Sequence, residues 1–158
     1  MTPLISEVLA KVAKAKTKEQ KVRILRENNT EPLRMILKAS FDPSIEWDLP
    51  EGDVPYEKND APAGTDHTNL AHESRLLFHF IKGGNPKLTP LRRENMFVQL
   101  LEGLSAEEAD LVCSAKDGAL HRKYKGLSDA VVKEAFNWTD SYMQPEPTEI
   151  LPGHEANF

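Results

Sequence analysis

The sequence predicts an all-α protein: a compact bundle of about six to seven short helices, with a long acidic, proline-rich loop at about residues 42–66 and an extended acidic C-terminal tail. Three observations lead to this prediction. Apolar residues recur three and four positions apart along most of the chain, which is the spacing of one helix face. Ser or Thr precedes most of these segments, in the place of a helix N-cap. Proline is frequent in the loop and the tail, where that spacing is lost.

The first forty residues are predicted to form three consecutive short helices. The first ends near Ala15, where the apolar spacing stops. Thr17, with Gln20 three residues on, has the pattern of a capping box and starts the second helix. Thr30 caps the third after an Asn-Asn break. The side chains expected to face the core are Leu4, Ile5, Val8, Leu9, Val12, Val22, Leu25, Leu33, Ile36, Leu37 and Phe41.

Residues 42–66 are predicted to form a single long loop, because they hold four prolines and two glycines and show neither helical nor alternating spacing. Loops of this length inside a compact domain are usually either functional or disordered. A docked loop is the favoured interpretation, and a disordered loop is the alternative. Docking would use the apolar side chains of Ile45, Trp47, Leu49, Val54 and Tyr56.

Four further helices are predicted after the loop. Gly83-Gly84 stops the first of them, and Pro90 suits the first turn of the second. Ser105 and Glu108 form another capping-box pattern, and Ser128 caps the last helix after the basic turn HRKYKG. The expected limits are Asp66 or Thr68 to Lys82, Thr89 to Gly103, Ser105 to Asp117 and Ser128 to Phe136. The expected core residues are Leu70, Leu77, Phe78, Ile81, Met96, Phe97, Leu100, Leu101, Leu111, Val112, Ala115, Val131, Val132 and Phe136.

The size of the chain fits one helical domain, predicted at residues 1–138, followed by an extended or mobile tail at residues 139–158. No apolar run approaches the roughly 18 residues of a membrane span, and the first residues lack the layout of a signal peptide. We therefore expect a cytoplasmic protein with no membrane contact. The single cysteine, Cys113, excludes an internal disulfide and fits a reducing compartment.

Charge is unevenly distributed along the chain, whose net charge is −5. Residues 1–40 hold nine bases and four acids, and residues 75–138 hold ten bases and eight acids. The excess acid lies in residues 41–74, with nine acids and one base, and in the tail, with four acids and no base. The helical body is therefore mildly basic, and the net charge alone does not exclude a nucleic-acid partner.

No catalytic residue, metal site or cofactor is predicted. His72 and His79 are seven residues apart, so on one helix they would lie about 10 Å apart along its axis, too far to share an ion. His67 is five residues before His72, and this spacing does not suit a shared ion either. Cys113 lies on an apolar helical stretch, where a cysteine is usually a small core residue. In the string SAKDG, Lys116 directly precedes Asp117, which is the wrong register for the K-x-D-G pattern of nucleotidyltransferases.

Two basic segments remain as candidate binding surfaces. The first spans the first two predicted helices and contains Lys11, Lys14, Lys18, Lys21, Arg23 and Arg26. The second is the turn HRKYKG, residues 121–126, which stands just before a predicted helix N-terminus, where backbone N–H groups can meet a phosphate. Exposed lysines that only solvate a helix face are the alternative interpretation. Convergence of the two segments on one face would favour a binding surface.

The opening segments ISEVLAKV, TKEQKVRILRENN and LRMILKASFDP resemble the start of the N-terminal DNA-binding domain of the ATP-dependent DNA ligases of T-even-type phages. TPLRRENMFVQLLEGLS and HRKYKGLS are similar to later parts of that domain. The resemblance implies a stand-alone relative that holds the duplex backbone without reading sequence. Its acidic loop and tail depart from the ligase pattern and predict weak binding. Carried over onto this chain, the phosphate contacts are Lys14, Lys18, Lys21, Arg92, Arg93, Arg122, Lys123 and Lys125.

The whole chain also resembles an uncharacterised family of small proteins of tailed phages, especially cyanophages, through EGDVPYEKNDAPAGT, FIKGGNP and HRKYKGLSDAVVKEAF. Together the resemblances imply a non-enzymatic accessory of phage DNA metabolism in the cytoplasm of an infected host cell, binding double-stranded DNA. One alternative is a protein-binding adaptor or inhibitor whose acidic loop and tail engage a replication, transcription or defence protein, with Trp47 and Trp138 as anchors. Another is a structural virion component.

Overall fold

The computed structural model of the chain describes residues 3–57 and 68–138. Within these ranges the regular elements are eight α-helices and one 3-10 helix, so the predicted all-α fold class is confirmed. Residues 139–158, the predicted tail, lie outside the described residues. The helices are α1 (Ile5–Lys14), α2 (Lys18–Glu27), α3 (Glu31–Phe41), α4 (Leu70–Glu73), the 3-10 helix (Ser74–Phe80), α5 (Pro90–Gly103), α6 (Ala106–Lys116), α7 (Leu120–Lys123) and α8 (Asp129–Phe136).

The helix starts follow the predicted caps. Thr17, Thr30, Ser105 and Ser128 each accept a hydrogen bond from the backbone N–H three residues on, at 3.2 to 3.4 Å. In the two predicted capping boxes, the Gln20 and Glu108 side chains do not bond back to the N–H of the capping residue. The Gln20 side chain accepts from the Lys16 N–H at 3.1 Å instead of the Thr17 N–H. The carboxylate of Glu108, which is 1% exposed, accepts from the Leu70 N–H at 2.9 Å and so joins α6 to the start of α4.

The predicted fourth helix, from residue 66 or 68 to Lys82, is wrong in length and form. The α-helical part ends at Glu73, a 3-10 helix continues to Phe80, and Ile81 is extended. The physical reason is competition for backbone groups. The Phe80 carbonyl accepts from the Asp48 N–H at 2.7 Å, and the Lys82 N–H donates to the Glu46 carbonyl at 2.8 Å. Phe78, predicted to face the core, is 47% exposed.

The acidic loop is docked where it is described, over residues 42–57, and its remaining residues 58–66 lie outside the described ranges. Trp47 forms an isolated antiparallel bridge with Ile81, and its indole N–H donates to the Ala39 carbonyl at 2.8 Å. Its ring also meets Phe97 edge-on, with centroids 6.4 Å apart. The favoured interpretation of a docked loop is therefore confirmed for this part of the chain.

The core is one cluster of buried apolar side chains that draws on every helix. Helix α6 packs against α1, α3, α5 and α7, and α8 packs along α2. The predicted basic turn overlaps helix α7, whose first residue, Leu120, is fully buried. Among residues 3–57 and 68–138, no helix has both the length and the apolar character that crossing a bilayer requires.

Candidate functional site

The two basic segments meet where α2 contacts the HRKYKG turn. Gly126 has a φ of +91°, a left-handed conformation that suits glycine, and the aliphatic part of the Lys21 side chain lies directly against it. A Cβ at this position would overlap with Lys21 Cε. The Lys21 ammonium donates to the Ala15 carbonyl at the turn between α1 and α2. One side chain thus joins α2, the α1–α2 turn and residue 126.

Lys14 and Lys18 flank the same turn. Lys14 is the last residue of α1 and is exposed, and Lys18 is the first residue of α2. The Lys18 ammonium lies 3.2 Å from the Glu134 carboxylate of α8, with about half of each side chain exposed. Exposed ion pairs of this kind contribute little free energy, so this pair can open when a phosphate competes for the lysine.

Arg122, Lys123 and Lys125 lie on the α7 side of the junction. Arg122 and Lys125 are exposed, and the Lys123 ammonium lies 5.5 Å from the ring centroid of Tyr124. The Tyr124 side chain is buried, so it fixes the backbone of the turn between two cationic side chains. We use the name basic face for the predicted phosphate contacts of the two segments that the Lys21–Gly126 contact joins, namely Lys14, Lys18, Lys21, Arg122, Lys123 and Lys125.

A groove of about 460 Å³ between α1 and α2 adds cations next to the basic face. Lys11 and Arg23 line it together with Lys14, while Glu27 contributes an acid. Both bases belong to the first basic segment, but the ligase resemblance did not carry over to them. Arg26 has a structural role instead, since its guanidinium donates to the Glu134 and Ala135 carbonyls at 2.9 and 3.1 Å, at the end of α8.

Arg93 was predicted to contact phosphate, and the structure shows that this is wrong. Its side chain is 8% exposed, and its guanidinium lies 3.2 Å from the Asp48 carboxylate. It also donates to the carbonyls of His79 and Leu88, both at 3.0 Å. Arg92 is exposed on the first turn of α5, which packs on α6 and the 3-10 helix, and the contacts that assemble the basic face do not involve it.

Of the two tryptophans predicted as exposed protein-binding anchors, one is buried and the other is half-buried. Trp138 is 6% exposed and packs on Phe136 with ring centroids 4.8 Å apart, with the Lys38 ammonium 5.0 Å above its ring. Trp47 is half-buried in the docked loop. Trp138 is therefore not the exposed anchor that the adaptor hypothesis requires, whereas part of the Trp47 side chain is exposed. The adaptor and virion hypotheses themselves stay predictions.

Among the described residues, no three His, Cys, Asp or Glu side chains lie close enough to hold a metal ion, and His67 is outside these residues. Burial raises the pKa of the Cys113 thiol to about 11. The charge of Lys116 lowers this pKa, whereas the carboxylates of Asp110, Asp117 and Asp53 raise it. A nucleophilic cysteine needs a lowered pKa, so at neutral pH Cys113 stays protonated.

Stability is expected to fall in alkaline solution from about pH 9. Burial raises the pKa of Cys113 from 9.0 to about 11 and that of Tyr56 from 10.0 to about 12, and it also raises the pKa of Tyr124. Because each folded-state pKa lies above its unfolded value, the unfolded chain loses its protons first as the pH rises. The stabilisation is therefore complete below the unfolded values and is lost as the pH rises through the folded ones.

Urea unfolding at a series of pH values between 7 and 11 measures this loss. The Cys113→Ala variant removes the group that titrates first, so its decline should begin nearer pH 10. A stability that stays level to pH 11, or a variant that begins to decline at the same pH as the natural chain, would contradict the assignment.

Comparison with known proteins identifies a family to which the chain is similar. The model of a family of unknown function (DUF6433) matches residues 8–122, from within α1 to within α7. The matched region includes Lys14, Lys18, Lys21 and Arg122 and ends before Lys123. No curated protein and no solved structure matches the chain.

Proposed function

The chain belongs to this family of unknown function, and we propose that it is a non-enzymatic accessory of DNA metabolism that binds duplex DNA through phosphates, without reading sequence. The observation that supports the proposal is the contact of Lys21 with Gly126. It joins two basic segments that are far apart in the chain. Phosphate contacts by Lys and Arg position a protein on DNA without specifying a base sequence. The resemblance to phage ligase DNA-binding domains is consistent with this role.

The basic face sets the expected strength of binding. Phosphate contacts release counterions, so the affinity should fall steeply with salt concentration. If three to six of its cations engage, the slope of log K against log salt should be about −3 to −5. The net charge of −5 opposes association with DNA, so we expect weak binding that is detectable at low salt.

Fluorescence anisotropy of a labelled 20-base-pair duplex at about 50 and 200 mM salt tests the proposal. Changing Arg122, Lys123 and Lys125 to Glu should weaken binding at the lower salt by about tenfold or more. The matched control changes the exposed bases Arg75, Lys82 and Lys87 to Glu, which alters the net charge equally outside the basic face. It should lose far less affinity.

Two results would overturn the proposal. One is no binding by the natural chain even at the lower salt. The other is equal loss in both triple variants, because binding would then reflect overall charge and not the basic face. Circular dichroism of each variant establishes that its helical content is retained.

A further inference from the structure

A second surface, formed by other elements, is a groove between the docked loop and α5. Leu49, Val54 and Pro55 line one side, and Leu91, Phe97 and Val98 line the other. The groove holds about 350 Å³, at the lower end of the range of about 300–1,000 Å³ for ligand pockets. We call it the Leu91 groove. Its volume and apolar lining suit one or two large apolar side chains.

The loop wall of the groove is held in place by the buried side chain of Lys116. This side chain is 1% exposed, and its ammonium donates to the carbonyls of Pro50 and Gly52 at 2.8 and 3.2 Å. It also pairs with the Asp117 carboxylate at 2.6 Å. Further along, the Glu57 N–H donates to the Glu102 carboxylate at 3.0 Å. A preformed groove spares an incoming segment the cost of ordering the loop.

Leu91 extends the apolar lining out to the surface. It is 71% exposed, on the first turn of α5 at the edge of the groove, whereas Phe97 is buried at its base. A single exposed leucine needs no explanation, but one that adjoins a concave apolar lining forms a continuous patch with it. Such patches, rimmed by polar side chains, mark contact sites for other molecules.

The rim of the groove is acidic. Asp53 and Glu94 line it and are both exposed, and the exposed carboxylate of Glu51 belongs to the same loop. The charge of Lys116 is balanced internally by Asp117, so it does not offset them. Arg92, next to Leu91, opposes this charge, and the balance around the groove remains negative. A cationic partner is therefore the one that this rim attracts.

We propose that the Leu91 groove is a docking site for a segment of a partner protein in which a large apolar side chain is flanked by Lys or Arg. The apolar side chain enters between the loop and α5, and the flanking cations lie against Asp53 and Glu94. This contact is independent of the proposed DNA binding, because the basic face is built from α1, α2 and the HRKYKG turn.

The probe is a capped peptide with two central tryptophans and two arginines on each side, and the control probe has glutamates in place of the arginines. Titration of the full ¹⁵N-labelled chain should shift the amide signals of residues 49–55 and 91–98. The arginine peptide should bind about tenfold more tightly than the glutamate peptide.

Two substitutions of exposed residues test the site without disturbing the core. Leu91→Ser should weaken binding of the arginine peptide by about fivefold, and Glu94→Lys should weaken it and strengthen binding of the glutamate peptide. Phe78→Ser, which changes another exposed large apolar residue, should leave both affinities unchanged. Equal affinity for the two peptides, signal shifts outside the groove, or binding unaffected by Leu91→Ser would overturn the proposal.

Discussion

Replacing Arg93 with methionine is expected to lower the free energy of unfolding by about 2–4 kcal/mol, because its buried guanidinium is the hydrogen-bond donor to backbone carbonyls that would be left without a partner. The Arg93 guanidinium holds three separate parts of the chain together: Asp48 in the docked loop, His79 in the 3-10 helix and Leu88 before α5. Methionine keeps most of the apolar contact but removes every donor. The carbonyl oxygens then lose their partners, which costs free energy beyond the hydrogen bonds themselves.

The neighbouring residue supplies the matched control. Arg92→Met removes the same charge from an exposed position, so its effect should stay within about 0.5 kcal/mol. Urea unfolding followed by circular dichroism measures both variants, with the slope of the transition checked for a common two-state process. A loss below about 1 kcal/mol for Arg93→Met, or similar losses for the two variants, would contradict the structural role of Arg93.

The contrast between these two arginines shows where sequence interpretation reaches its limit. Successive side chains on a helix point about 100° apart, so one arginine of a pair can face solvent while the other faces the interior. Deciding which one is buried requires the position of Asp48 and of the residue 79–88 segment. These lie outside the local pattern of α5. The resemblance to ligase domains carried both arginines over as phosphate contacts, and only the exposure of Arg92 is compatible with that role.

The parts of the fold that the sequence predicts correctly depend mostly on contacts between residues close together in the chain. The caps at Thr17, Thr30 and Ser128 are contacts between residues three apart, so pattern and structure coincide. The fourth helix fails because its backbone groups bond to loop residues 46 and 48, which no helical spacing reveals. The same limit explains Trp47 and Trp138, whose aromatic character is visible in the sequence although their burial is not.

The basic face was only partly predictable for a similar reason. The sequence identifies both basic segments as clusters of Lys and Arg, and their charge does not depend on the fold. Their meeting depends on the contact between Lys21 and Gly126, which are separated by more than a hundred residues. The Leu91 groove was not predicted, because its two walls come from the docked loop and from α5. Exposed Leu91 looks like an ordinary apolar position in the sequence.

Lys116→Met is expected to release the loop wall of the Leu91 groove, with a loss of about 2–3 kcal/mol in the free energy of unfolding. Methionine fits the buried space of the lysine stem but donates no hydrogen bonds to Pro50 or Gly52. Asp117, with 32% of its side chain exposed, can be hydrated once its partner is gone. Because both carbonyls belong to the docked loop, the loss should be concentrated there.

Hydrogen exchange locates this effect. Amides of residues 49–57 should exchange faster in Lys116→Met, while those of α1, α2 and α8 should keep their protection relative to the global stability. Lys87→Met, at an exposed lysine, is the matched control and should change exchange neither in the loop nor in the helices. The Leu91 groove needs its loop wall, and the basic face does not. Lys116→Met should therefore also weaken binding of the arginine peptide while leaving binding of the DNA duplex unchanged. Uniformly faster exchange across all helices would show instead that Lys116 stabilises the whole fold and not this wall.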